Sequence, residues 1–145
     1  MAILNYTTTI TVEKTSFEIT NILRKAGAKS ILAQWDDDQM LSAISFEVNT
    51  PHGQIYFRVS PQVEGVLKIL RRNDKVARKF KTVEHAHKVS WRIEKDWIAA
   101  QMAKVDAGLA ELPQVFLGYA QAPNGDTFYK NLVNRKFGEL THDKN

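Results

Sequence analysis

The residues of this sequence best suited to chemistry are cations. Residues 67 to 81 read LKILRRNDKVARKFK, holding Lys68, Arg71, Arg72, Lys75, Arg78, Lys79 and Lys81 against a single acid, Asp74. Farther on, Lys88, Arg92 and Lys95 are spaced i, i+4, i+7, which lines one ridge of a helix, and Trp91 borders that ridge. Clustered Lys and Arg suit a phosphate backbone, because neutralising it releases condensed counterions. An indole beside them offers a flat ring on which a base can stack. Between Lys68 and Lys95 ten cations face three anions, so this window carries +7 in a chain whose total is +4. Such asymmetry bears on partners and not on fold. The plainer reading is that these cations are solvated helix faces, that Glu84–Lys88 and Arg92–Asp96 pair at i, i+4, and that Trp91 packs in a core.

Other candidate groups are weaker. His85 and His87 stand two apart, which on a helix points them to opposite sides and makes a poor metal pair. His52 falls in a TPHG turn and His142 near the end of the chain, and all four histidines have a surface or capping role as their plain reading. Asp36, Asp37 and Asp38 could attract a divalent cation, but they lack the regular spacing and closing Glu of a calcium loop and read as a hairpin turn. There is no cysteine, no Gly-rich phosphate loop, no nucleophile elbow and no zinc-ligand helix. No cofactor and no metal are therefore expected, and catalysis has no positive support. The remaining enzymatic reading is a hydrolase or nuclease built on Asp36 to Asp38 with a histidine.

The elements that must position these groups form an α+β pattern. Residues 4 to 13, rich in Thr and β-branched residues, are expected to form a strand. A capping box of Thr15 and Glu18 then opens a helix from about 16 to 26, stopped at Gly27. Three strand-like runs follow, AKSILAQWD, MLSAISFEVN and QIYFRVS, joined by short polar turns into an antiparallel meander. Ser60 with Pro61 is expected to start a helix whose buried stripe is Val63, Val66, Leu67 and Leu70. Thr82 caps the longest helix, from about 83 to 107. That helix carries two apolar stripes, Val89, Ile93, Trp97 and Ala100 on one face and Trp91, Ile98, Met102, Val105 and Leu109 on another. A helix apolar on two faces is sandwiched, either inside the fold or against a second subunit. The second case makes Ile98, Met102, Val105 and Leu109 an oligomer interface. An Asn124-Gly125 turn and a short helix from about 126 to 135 close an aromatic last third, whose Tyr119, Phe128 and Tyr129 suit either a packing layer or a ligand pocket.

At 145 residues, with 43% hydrophobic and 25% charged side chains, the chain has the size and composition of one globular domain. The expectation is a single α+β domain over 1–145, with a sheet of three or four strands in residues 1–72 and a helical half over 83–135. The N-terminus lacks a signal-peptide pattern and no run is long enough to span a membrane, which points to a cytoplasmic protein.

The order helix, three strands, helix over residues 15 to 72 resembles a double-stranded-RNA-binding domain in topology. It departs from that family in placing TPHG after the second strand of the meander, and in having no lysine cluster at the start of SPQVEGVLK. A strand meander packed by helices is similar also to phage single-strand annealing proteins. The stretches TPHGQIYFRV and HKVSWRIEKDWIAAQMAKVDAGLAELPQVFLGY resemble uncharacterised proteins encoded in bacteriophages and prophages. That resemblance implies a phage or mobile-element context in a bacterial host and assigns no residue a role. Two functions are consistent with the whole. One is a non-enzymatic nucleic-acid-binding protein, contacting DNA or RNA backbone through the cations of 68–95 and Trp91. The other is an oligomeric anti-defence or interaction protein that binds a host protein or a small anionic nucleotide signal.

Overall fold

The computed structural model of the chain describes residues 2–142. Thr11, rather than Thr15, starts the first helix. Its hydroxyl accepts from the Lys14 N–H, and α1 runs Val12–Lys25 with Gly27 beyond it at φ +99°. The expected strand over residues 4 to 13 is therefore absent. Its threonines sit in a turn, an extended lead-in and a cap, where a hydroxyl satisfies backbone donors as well as a sheet would. The Thr15–Glu18 capping box is absent too, because both residues lie inside α1 and serve α3 instead.

The meander is as expected. β1 (Ser30–Trp35), β2 (Leu41–Thr50) and β3 (Gly53–Val59) form one antiparallel sheet in that order, and no fourth strand joins it among the described residues. Asp36 builds the first turn, its Oδ1 accepting from the Asp38 and Met40 N–H groups at 2.9 and 3.0 Å. A bulge opposite Gln34 and Trp35 shifts the β1–β2 register, so Leu41 joins the core face with Ile44, Phe46 and Val48 although its parity is odd.

α2 spans Val63–Arg72 and begins later than the sequence suggests. Ser60 does not cap it; its hydroxyl donates to the Ser42 carbonyl across the sheet end. A short 3₁₀ turn, Arg78–Phe80, leads to α3 (Val83–Asp106), where Thr82 caps as expected by accepting from the His85 N–H. α4 (Leu112–Val115), a second 3₁₀ turn at Leu117–Tyr119 and α5 (Phe128–Asn134) complete the order.

Two apolar clusters hold these elements. The larger joins Ile19 and Leu23 of α1, the core face of the sheet, and Trp91, Ile98 and Met102 of α3. Phe116 closes it, standing 5.6 Å from Phe46, 5.9 Å from Phe57 and 5.3 Å from Trp97 between ring centres. The smaller cluster joins Leu70, Val76 and Ala86, flanked by Ile3, Tyr6, Val66 and Phe80. α3 packs against both α1 and α2, so most of its two apolar stripes is covered within the chain. Ile98 is 1% exposed and Met102 5%, which removes both from any outer face; of the residues expected at an oligomer interface, Val105 is half-buried and Leu109 is exposed.

Candidate functional site

The cations separate into two groups with different fates. On α2 and the connection after it, Lys68, Arg71, Arg72, Lys75, Arg78 and Lys79 are exposed and Lys81 is half-buried. None of the seven forms an ion pair among the described residues. The connection that carries four of them is anchored. Asn73 Oδ1 accepts from the Lys75 N–H at 3.0 Å, the Asn73 carbonyl accepts from Val76, and the Val76 side chain is 4% exposed. Phe80 packs edge-on to Tyr6 and beside His85, and Lys79 Nζ lies 5.1 Å from the Phe80 ring centre. Arg71 and Arg72 end α2, where the helix dipole favours positive charge, so part of their placement serves the helix itself.

The cations of α3 do not join this surface. At about 100° per residue, Lys88, Arg92 and Lys95 stand roughly 180–240° round the helix from Ala86, the residue that packs toward α2. Arg92 turns inward, its Nη1 donating to Glu18 Oε2 and to Thr15 Oγ1, with a side chain 12% exposed. Lys95 Nζ lies 3.7 Å from Asp96, whose other oxygen accepts from Asn5. Trp91 is fully buried and its indole N–H donates to the Leu41 carbonyl at 3.1 Å, so no face of the ring is left for a base. The continuous patch over 68–95 is thereby reduced to 68–81.

Two of the four histidines differ from their plain reading. His85 and His87 do point opposite ways, but both are buried, at 8% and 7% exposure. His85 Nε2 donates to the Tyr6 carbonyl and so pins the N-terminal segment to α3. His87 faces the other way and lines two openings, one of 380 Å³ beside α1 and a groove of 970 Å³ bounded by α2, α3 and the β1–β2 turn. Its Nδ1 is shut off from solvent with no hydrogen-bond partner. Burial lowers its pKa below the usual histidine value, and the negative charge of Asp36 partly opposes that shift. Lys68 and Arg71 line the same groove. Sequence spacing shows which way His87 points on a helix but not that α2 and the Asp36 turn close over it. His52 and His142 are exposed.

The aromatic last third is a packing layer in part. Tyr119 lies 5.1 Å from Trp97 between ring centres, and burial followed by the charge of Glu94 raises its pKa. Glu94 itself is raised by burial. Tyr129 stays exposed beside Phe137 and, with Arg58 and Lys130, borders a second opening of 590 Å³. Among the described residues no group of three or more His, Cys, Asp or Glu side chains could hold a metal ion, and no helix is long and apolar enough to cross a membrane. Comparison with protein families, with curated proteins and with solved structures finds no match for this chain.

Proposed function

We propose that the chain binds nucleic acid through its phosphate backbone, without catalysis, using the corner formed by the end of α2 and residues 73 to 81. One observation carries this reading: seven cations on α2 and the anchored connection after it, none ion-paired to a carboxylate among the described residues. Charges without an ion-pair partner remain free to attract a polyanion. Contacts of this kind position a strand without reading its sequence, so affinity depends on salt far more than on base order. The phage setting suggested by the C-terminal wording suits a protein that handles nucleic acid, and DNA and RNA remain equal substrates for such a surface.

Fluorescence anisotropy with labelled single- and double-stranded oligonucleotides at low salt tests the proposal. Binding is expected to weaken steeply with salt, each neutralised phosphate adding about 0.9 to the slope of log K on log salt. Joint reversal of Arg71, Arg72, Lys75 and Arg78 to Glu lowers affinity by at least about tenfold and flattens that slope. Arg92→Ala leaves affinity unchanged, because that side chain is already engaged by Glu18. No binding at low salt, or binding that ignores salt, sinks the reading.

A further inference from the structure

His87 is the one buried side chain among the described residues with a polar atom left without a partner. A neutral imidazole carries its proton on one nitrogen and a lone pair on the other. An orphaned lone pair is tolerated inside a protein more readily than an orphaned N–H. The enclosed Nδ1 is therefore the bare nitrogen, and the proton belongs on Nε2. Burial disfavours the cationic form of the ring and lowers its pKa, with the charge of Asp36 partly opposing. With that tautomer, any hydrogen bond His87 offers to the groove it lines is a donated one.

The groove around that donor is divided by charge. Lys68 and Arg71 line it from α2 together with one acid, Glu64, while Asp36 and Asp38 line it from the β1–β2 turn and Glu84 from α3. A simple anion in this space meets four carboxylates, and a simple cation meets two fixed positive charges. A ligand that is anionic at one end and rich in N–H donors at the other satisfies both halves. Arginine suits phosphate through paired N–H groups, and carboxylates accept from the exocyclic amines of bases. A nucleotide has that polarity, and at 970 Å³ the groove lies within the about 300–1,000 Å³ of ordinary ligand clefts.

We propose that this groove binds a nucleoside monophosphate group, free or at the end of a strand. Its phosphate lies against Lys68 and Arg71, and the amine of its base lies toward Asp36, Asp38 and Glu84, with His87 donating between them. The proposal does not depend on the backbone-binding reading, and either can fail alone.

The full chain is titrated with AMP, CMP, GMP, UMP and inorganic phosphate by calorimetry, with the histidine ring nitrogens followed by NMR. The three nucleotides whose bases carry an exocyclic amine are expected to bind at least about fivefold more tightly than UMP or phosphate, and to shift the His87 nitrogens. Asp36→Asn keeps the oxygen that builds the turn and narrows the gap between CMP and UMP. Lys68→Glu with Arg71→Glu weakens all four nucleotides at least about tenfold. These surface variants leave the core intact, so the test stands even where His87→Gln disturbs folding. Oligonucleotides with and without a 5′-phosphate separate the sources: preference for the phosphorylated end assigns a strand terminus, and equal binding with mononucleotide affinity retained assigns a free nucleotide. Loss of oligonucleotide binding with nucleotide binding retained supports this site while rejecting the backbone reading. Absence of nucleotide binding, phosphate binding as tightly as AMP, or a silent His87 overturns the proposal.

Discussion

Trp91 and Arg92 are adjacent, and both turn inward. One donates to a backbone carbonyl of β2 and the other to Glu18 and Thr15 of α1. Their types are those of a nucleic-acid surface, and only the arrival of α1 and the bulged end of β2 converts them into struts between elements. Sequence alone cannot separate these outcomes, since the partners lie 50 and 74 residues away in the chain. Two other inward groups make stability depend on pH. His87 has a lowered pKa in the folded chain, so below the ordinary value of 6.5 the unfolded chain binds more protons, and stability falls as pH drops. Glu94 is raised, so above the ordinary value of 4.5 the folded chain holds a proton the unfolded chain has lost, and stability falls as pH climbs through the raised value. Thermal melts across pH are expected to show Glu94→Gln raising Tm at neutral pH, with the gain vanishing below 4.5. A uniform gain at every pH would show that the carboxyl's charge is not the cause.

At the scale of elements, the legible signals were those whose chemistry is complete within a few residues. Thr82 needs only the His85 N–H three residues on, and Gly27 needs only its own freedom at φ +99°. The three strands of the meander were legible for the same reason, each turn being built by its own Asp36 or Gly53. The threonine run from Thr7 to Thr11 was misread because β-propensity reports a packed sheet surface, and no neighbouring strand comes to that stretch. Ser60 was misread because its hydroxyl found the Ser42 carbonyl before it found a helix end. Chemical denaturation checks which threonine matters as a cap: Thr11→Ala is expected to cost about 0.5–2 kcal/mol through loss of the bond to the Lys14 N–H. A change indistinguishable from zero would show that α1 does not need that cap.

At the scale of the whole molecule, α3 is the element against which α1, α2, α4 and the core face of the sheet pack. Its doubly apolar wheel was read correctly as a sandwiched helix, but the sandwich closes within one chain, between α1, α2 and the sheet. Ile98→Ala is accordingly expected to lower unfolding stability by about 2–5 kcal/mol, as truncation of a residue 1% exposed in a packed core does. An unaltered denaturation midpoint would place Ile98 outside the core. The candidate site was only half legible: the cations of 68–81 announce themselves, whereas the His87 groove exists only because two distant segments meet over one turn of α3. The split of the interior into a large and a small cluster has a consequence for those cations. They stand on the small one, and local opening follows local apolar burial, so this corner can loosen while the sheet stays closed. A polyanion that engages only the closed corner shifts that balance by mass action. On the proposed reading, the surface that grips is also the surface that is stiffened by its cargo.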